Sequence, residues 1–151
     1  MEPNTTLPEF GRRSFGTDVQ QRIAVELRKK LSGHHTQTRE GAGKRQYRYL
    51  ESSMAINLAN TIFGFDGWSC EPLETNFVDM SFDEHKKKWH VTAQCSVRVT
   101  LKDGTSHVDV GFGDGYFPTK SDSMEKACKQ AYSDARKRAL RLFGNALGNS
   151  L

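Results

Sequence analysis

The sequence contains little cysteine and no long apolar segment. Its three cysteines, Cys70, Cys95 and Cys128, are odd in number and form no Cys-x-x-Cys pair, which argues against a disulfide framework. No apolar run approaches the length of a membrane-spanning helix, and the opening residues, MEPNTTLPEFGRR, contain no apolar signal core. We therefore expect a reducing compartment and no membrane partner.

Signatures of known catalytic centres are also missing. None of the five histidines has zinc-site spacing with the cysteines, and neither a Gly-x-Ser-x-Gly motif nor a paired Cys/His signature occurs. The segment GAGK, residues 41–44, resembles part of a phosphate-binding loop. However, Lys44 is followed by Arg45, where that motif requires Ser or Thr. We predict a protein that is not an enzyme and that has no metal site and no cofactor.

The composition is that of one folded domain with a modest positive charge. Apolar residues make up 36% and charged residues 26% of 151 residues, enough for one core. The net charge of +4 and the pI of about 9.0 permit a polyanionic partner without requiring one. Residues 1–16 hold two of the four prolines, so we predict a flexible N-terminal arm there and a single domain over residues 17–151.

Apolar residues at helical spacing predict three helices. The first begins at a capping box, with Thr17 as N-cap and Gln20 reaching back, and ends at Gly33. The second covers residues 51–63. The third has Asp122 as its N-cap. Its inner stripe consists of Met124, Ala127, Cys128, Ala131, Ala135, Ala139 and Leu142.

Alternating apolar residues predict a three-stranded antiparallel sheet. Its strands cover residues 68–82, 89–101 and 106–113, and Pro72 marks the first as an edge or bulged strand. The remaining segments are predicted as a loop over residues 34–46, a short strand in YRYLES (residues 47–52) and a loop over residues 113–123. The fold class is therefore α+β, with a three-stranded antiparallel sheet plus a short strand packed on helices.

Positive charge is concentrated on the third predicted helix. Lys137 and Arg141 share the face opposite the inner stripe with Lys126 and Gln130, and Arg138 flanks that face beside Arg136. Crowded cations repel one another unless an anion is near, and nucleic-acid phosphates are such anions. The alternative is a solvated face whose cations interact with the helix dipole.

A second basic segment, residues 39–45, directly precedes Tyr47 and Tyr49. Cations beside aromatic rings suit single-stranded nucleic acid, because charge holds the backbone while rings meet the bases. The alternative is that at least one of these tyrosines packs in the core.

The charged turn after residue 82 admits two further interpretations. Lys86, Lys87 and Lys88 form either a solvated hairpin tip or a second phosphate-contacting patch. Asp79 and Glu84 are similar to the carboxylates of metal-dependent nucleases. Such sites need carboxylates held on rigid strands, so a solvated turn is the favoured interpretation.

Two Gly-Asn steps, at Gly144 and Gly148, follow the third helix. We expect both to turn the chain through left-handed backbone. The apolar residues expected to anchor that turn are Leu142, Phe143, Ala146 and Leu147.

Three long motifs resemble one family. They are INLANTIFGFDGW (residues 56–68), VRVTLKDGTSHVDVGFG (97–113) and DARKRALRLFGNALGN (134–149). They are similar to the DNA-binding domain of the "radiation-sensitive fifty-two" single-strand annealing proteins of eukaryotic homologous recombination, over residues 15–151. The resemblance implies a nuclear protein of double-strand-break repair. It also implies a closed oligomeric ring that anneals complementary strands without ATP.

The resemblance also implies where DNA binds. Residues expected in an inner groove are Arg39, Lys44, Tyr47, Tyr49, Lys137, Arg138 and Arg141. Residues expected at a weaker outer site are Lys86, Lys87, Lys88 and Lys120. The segment 113–120 departs from the family's pattern, with Pro118 at an expected basic position, and Arg136 is an additional cation.

The implied partners are single-stranded DNA, RNA or duplex DNA more weakly, and further copies of the chain. The family's tail for replication protein A and the recombinase is expected to lie outside this chain. Three alternatives stay open: an RNA-binding module of similar shape, the nuclease based on Asp79 and Glu84, and a purely structural ring protein.

Overall fold

The computed structural model describes residues 8–151. In chain order its elements are α1 (Thr17–Arg28), β1 (Gln37–Glu40), β2 (Gln46–Tyr49), α2 (Ser52–Phe63), β3 (Trp68–Asp83), β4 (Lys88–Leu101), β5 (Ser106–Phe117) and α3 (Lys120–Arg141). Single 3-10 turns occur at Gly33–His35, Ala42–Lys44 and Asn145–Leu147. Strands β3, β4 and β5 form an antiparallel sheet in that order, and β1 pairs with β2 in a separate hairpin. The α+β prediction is confirmed. No helix in the described part is long and apolar enough to cross a membrane.

The core lies between one face of the sheet and α3. Every second residue of β4 from Val91 to Leu101 is buried, as its alternation predicts. These side chains meet the alanine stripe of α3, of which Ala127 and Ala139 are fully buried. The bulge predicted from Pro72 is present, because the register of β3 against β4 shifts between Pro72 and Glu74.

Strand β5 extends to Phe117, so the prediction of a loop over residues 113–123 is wrong. Its glycines suggested a loop, but they have a packing role. Gly111, Gly113 and Gly115 are buried and face α3, and a Cβ on Gly111 would lie 2.6 Å from the carbonyl oxygen of Ala131. Glycine is therefore required here because the helix backbone rests directly on the strand.

The third helix begins earlier than predicted. Its N-cap is Thr119, whose hydroxyl accepts a hydrogen bond from the Asp122 amide at 3.3 Å, so Asp122 as N-cap is wrong. Ser123 is fully buried. Its hydroxyl donates to the Trp89 carbonyl at 2.8 Å and accepts from the Phe117 amide at 2.9 Å. This serine therefore fastens the start of α3 to both β4 and β5.

The inner stripe of α3 differs from the prediction at its end. Leu142 is 44% exposed, whereas Leu140 is fully buried. The row of buried alanines repeats every four residues and continues to the half-buried Phe143 rather than to Leu142. The ring of Phe143 meets Phe63 edge-on, with 5.5 Å between the ring centroids.

The capping box predicted at Thr17 is absent. Helix α1 has Gly16 as its N-cap without a side-chain hydrogen bond, and it ends at Arg28 rather than at Gly33. Ile23 is its buried residue. The chain is already extended at Lys29, so the apolar spacing that suggested a longer helix continues in an extended segment.

Strand β1 lies inside the segment predicted as a loop over residues 34–46. All four of its residues are exposed, so no apolar alternation marked it in the sequence. Before α1, the amides of Gly11 and Arg13 both donate to the Lys102 carbonyl, at 2.8 and 2.9 Å. The flexible arm predicted over residues 1–16 thus has a hydrogen-bonded part, and its first seven residues lie outside the described chain.

The two Gly-Asn steps behave differently. Gly148 has the expected positive φ of 107°, but Gly144 has extended backbone with φ of 163°. Gly144 is packed instead, since a Cβ there would lie 2.6 Å from the carbonyl oxygen of Leu27. Leu147 is fully buried and anchors the turn as predicted.

Candidate nucleic-acid interface

A cleft of about 640 Å³ lies between α3 and the β1–β2 hairpin. We call it the basic groove. Its cationic lining residues are Arg39, Arg48, Lys137, Arg138 and Arg141. Its aromatic lining residues are Tyr47, Tyr49 and Phe112, and its polar ones include Gln130, Ser133 and Asp134. Six of the seven residues predicted for an inner site therefore meet in one place.

The helical wall of the groove follows from the packing of α3. Because the alanine stripe faces the sheet, the opposite side of the helix faces outward. Lys137 and Arg141 lie on that side, as predicted, and line the groove together with Gln130. Lys126 was predicted on the same face, but it is not among the groove's lining residues.

The hairpin forms the opposite wall. Arg39 of β1 pairs in register with Tyr47 of β2, and the Arg39 guanidinium lies 5.5 Å from the centroid of the Tyr49 ring. Tyr47 is 45% exposed and Tyr49 is half-buried, and neither belongs to the buried core or packs against it, so the alternative that at least one of them packs in the core is wrong. The ring of Tyr47 lies against Gly41, where a Cβ would overlap it. Both rings are thus held at the groove surface.

The structure separates Lys44 from the groove and adds residues that the sequence did not indicate. Lys44 lies in the 3-10 turn at the hairpin tip, with a positive φ of 59°. Arg48 lines the groove instead, and its Nη2 donates to the Thr36 hydroxyl at 2.9 Å. The sequence feature that could have indicated Arg48 is its position between Tyr47 and Tyr49. Phe112 and Asp134 reach the groove through tertiary contacts, for which the sequence offers no signal.

Cationic side chains dominate the electrostatics of the groove. The pKa of Lys137 is lowered, first by burial and further by the charges of Arg39, Arg138 and Arg141. The carboxylate of Asp134 acts in the opposite direction. A bound phosphate would relieve this repulsion among the cations.

Arg136 lies outside the groove lining despite its position beside Lys137. Its Nη2 donates to the Ser52 hydroxyl at 2.9 Å, and its guanidinium lies 5.3 Å from the centroid of the Tyr132 ring. This arginine therefore joins α3 to the start of α2.

The residues predicted for an outer site lie at the other end of α3. Lys120 begins the helix, so Gln130 lies about 15 Å further along its axis. The Nζ atoms of Lys88 and Lys120 lie 5.2 Å from the Tyr116 ring centroid and 5.1 Å from that of Trp89.

The other two outer-site residues belong to the β3–β4 turn. Lys87 pairs with Glu84 at 3.2 Å, and the amide of Lys86 donates to Asp83 at 3.1 Å. Binding of DNA by any of the four lysines stays a prediction.

The carboxylates considered for a nuclease site are not both on rigid strands. Asp79 lies in β3 opposite Thr92, whereas Glu84 lies in the turn and pairs with Lys87. Within residues 8–151, no group of three or more His, Cys, Asp and Glu side chains is arranged to hold a metal ion.

Comparison with known proteins gives a consistent match. The family model of Rad52/22 family double-strand break repair proteins matches residues 19–151. The DNA repair and recombination protein RAD52 of Eremothecium gossypii is 45% identical over 85% of this chain and 29% of its own length. RAD52 of Saccharomyces cerevisiae is 40% identical over 100% of this chain and 31% of its own length. The rad22 protein of Schizosaccharomyces pombe is 44% identical over 85% of this chain and 28% of its own length.

The chain spans less than a third of the length of each of these three relatives. The family match nevertheless covers both walls of the basic groove and the whole sheet. The chain therefore belongs to the Rad52/22 family of double-strand break repair proteins.

Proposed function

We propose that this chain binds single-stranded DNA in the basic groove and anneals complementary strands without ATP, in recombination and double-strand-break repair. The observation that carries the proposal is the meeting of cations and aromatic rings in one groove. Lys137 and Arg141 come from α3, while Arg39 and Tyr47 come from the hairpin. Cations bind the phosphate backbone and rings accept stacked bases, which is how single strands are bound without sequence preference.

Annealing by such a site makes and breaks no covalent bond, so we infer that the chain is not an enzyme and uses no cofactor. The groove holds the backbone and leaves the base edges free to pair. Duplex formation then supplies the driving free energy. Because contacts to phosphate carry no base code, sequence preference should be weak.

Self-association into a ring would link many such grooves. Linked weak sites give tight binding through high effective concentration. Apolar side chains at the surface of the isolated chain support this, since Val78 and Met80 of β3 and Val108 of β5 are 51%, 42% and 49% exposed. Phe65, in the loop before β3, is 86% exposed.

The outer lysines, Lys86, Lys87, Lys88 and Lys120, would hold a second strand, or duplex DNA more weakly. We place the protein in the nucleus, where its repair substrate lies.

Annealing of two labelled complementary oligonucleotides, without ATP or metal, tests the proposal. We expect fast annealing by the wild type and its loss in Arg39→Ala and Lys137→Ala. Lys126→Ala, a cation on the same helix outside the groove lining, should anneal normally. No binding of single-stranded DNA at low salt would refute the proposal. A marked preference for RNA in direct competition would favour the RNA-binding alternative.

A further inference from the structure

Asp134 is a carboxylate inside a groove lined by cations. It should weaken the binding of any polyanion, because its charge repels phosphate. Its side chain is only 23% exposed, and it contacts two different elements of the groove. Both the strand β5 and the side chain of Arg138 donate to it.

The two contacts share one oxygen atom. Asp134 Oδ2 accepts from the backbone amide of Phe112 at 3.1 Å and from Arg138 Nε at 3.0 Å. The first bond fixes the carboxylate to the edge of β5. The second bond holds the Arg138 side chain through its Nε atom. Among the described residues, neither Nη group of Arg138 has a hydrogen-bond partner, so the outer side of the guanidinium is left free for an anion.

We propose that Asp134 is a positioning residue, which holds Arg138 in the orientation that its Nη groups need to contact a DNA phosphate. This inference rests on the proposed binding of single-stranded DNA. A flexible arginine loses rotamer freedom when it binds phosphate, and an arginine that is already held loses less. The carboxylate thereby strengthens DNA binding although its own charge opposes it.

A second contribution acts on Lys137, which precedes Arg138 in the groove wall. Burial and the neighbouring cations lower the pKa of Lys137, and the charge of Asp134 counteracts this. The carboxylate therefore also helps to keep the groove cationic while no DNA is bound.

The alternative is an ordinary ion pair between residues four apart on a helix surface, which contributes little. The same helix offers a matched control for that alternative. Glu125 pairs with Lys129 at 2.6 Å with the same spacing, and both side chains are more than half exposed outside the groove lining. Glu125→Gln and Asp134→Asn each remove one negative charge from α3.

The test measures the affinity of each variant for a fluorescent single-stranded oligonucleotide by anisotropy. We expect Glu125→Gln to bind equally well or slightly more tightly. Asp134→Asn should bind about threefold to tenfold more weakly, because Arg138 is released although the net charge rises. Tighter binding by Asp134→Asn, or equal behaviour of the two variants, would overturn the inference.

Coupling to Arg138 separates positioning from general damage. In an Arg138→Ala background, Asp134→Asn should cause a much smaller loss, since the residue to be positioned is gone and only the effect on Lys137 remains. An undiminished loss in that background would also overturn the inference. Asn retains an oxygen acceptor for the Phe112 amide, and thermal unfolding checks that the fold is intact.

Arg138→Lys provides a second test that leaves Asp134 and its bond to β5 in place. An ammonium group cannot hold Asp134 with one nitrogen and phosphate with two others. We therefore expect Arg138→Lys to lose about as much affinity as Asp134→Asn, and wild-type affinity would contradict the mechanism. A wild-type chain that fails to bind DNA at low salt would instead refute the proposed function itself.

Discussion

The salt dependence of the proposed DNA binding would report how many phosphates the basic groove neutralises. Each phosphate contact on a single strand contributes about −0.7 to the slope of log K against log salt concentration. Contacts from Arg39, Lys137, Arg138 and Arg141 therefore predict a slope of about −2.8 for each engaged groove. An increase from about 50 to about 200 mM salt should then weaken binding about 50-fold.

Removal of one of these four groove cations should reduce the magnitude of that slope by a quarter. Lys137→Ala is expected to give a slope of about −2.1, so the same change in salt weakens binding by about 20-fold. The fraction lost is the same for any number of engaged grooves, which makes the prediction independent of subunit number. Lys137 is half-buried on a polar wall, so the variant should unfold at a temperature close to that of the wild type.

The assay is fluorescence anisotropy of a labelled oligonucleotide at four or more salt concentrations. Lys126→Ala is the control, because this lysine lies on the same helix but does not line the groove. Its slope should equal that of the wild type. If Lys137→Ala keeps the full slope, or if both variants lose the same amount, the groove does not bind phosphate in the manner inferred.

Three further predictions concern packing and pH. Gly113→Val should destabilise the fold by at least about 3 kcal/mol, since the valine side chain would overlap the backbone of α3 at Ala127. A melting temperature equal to that of the wild type would contradict this contact. Phe143→Ala should lower the free energy of unfolding in denaturant by about 2 kcal/mol, because a half-buried ring loses its edge-on contacts; an unchanged midpoint would show that the ring contributes nothing to stability. The pKa of Lys137 is lowered by burial, and phosphate raises it again, so DNA binding takes up a proton. Affinity for an oligodeoxyadenosine should therefore fall from about pH 7 to about pH 10. Lys137→Arg stays charged, so its affinity should depend less on pH. Identical dependence of affinity on pH in the two proteins would exclude titration of this lysine.

The elements that the sequence predicts well are those whose signal is local. The alternation of β4 marks its buried face, and the alanine row of α3 marks the side that meets the sheet. Both patterns arise because one side of a single element is buried. The polar side of α3 follows from the same pattern, and Lys137 and Arg141 on that side line the basic groove.

Several of the wrong predictions fall where contacts with a distant part of the chain determine the structure. The glycines of β5 suggested a loop, but they are needed because α3 rests on the strand. Strand β1 has no buried residue, so it is defined only by its pairing with β2. Asp134 and Phe112 belong to the site because a hydrogen bond joins them between α3 and β5, and they are 22 residues apart in the sequence.

The two walls of the groove are held in different ways, and this difference bears on the proposed annealing. Helix α3 is fixed by close packing on the glycines of β5 and by the buried hydroxyl of Ser123, so the backbone that carries its cations is held in place. The hairpin has no buried residue within its strands, and its base is anchored by Leu50, which is 3% exposed and lies near Gly148. The fixed wall, α3, would contact the repeating phosphate groups of a strand. The lightly anchored wall, the hairpin with its two tyrosines, would accommodate bases of different size. Because a duplex is wider and stiffer than a single strand, a duplex formed by the proposed annealing should leave the groove most easily on the hairpin side.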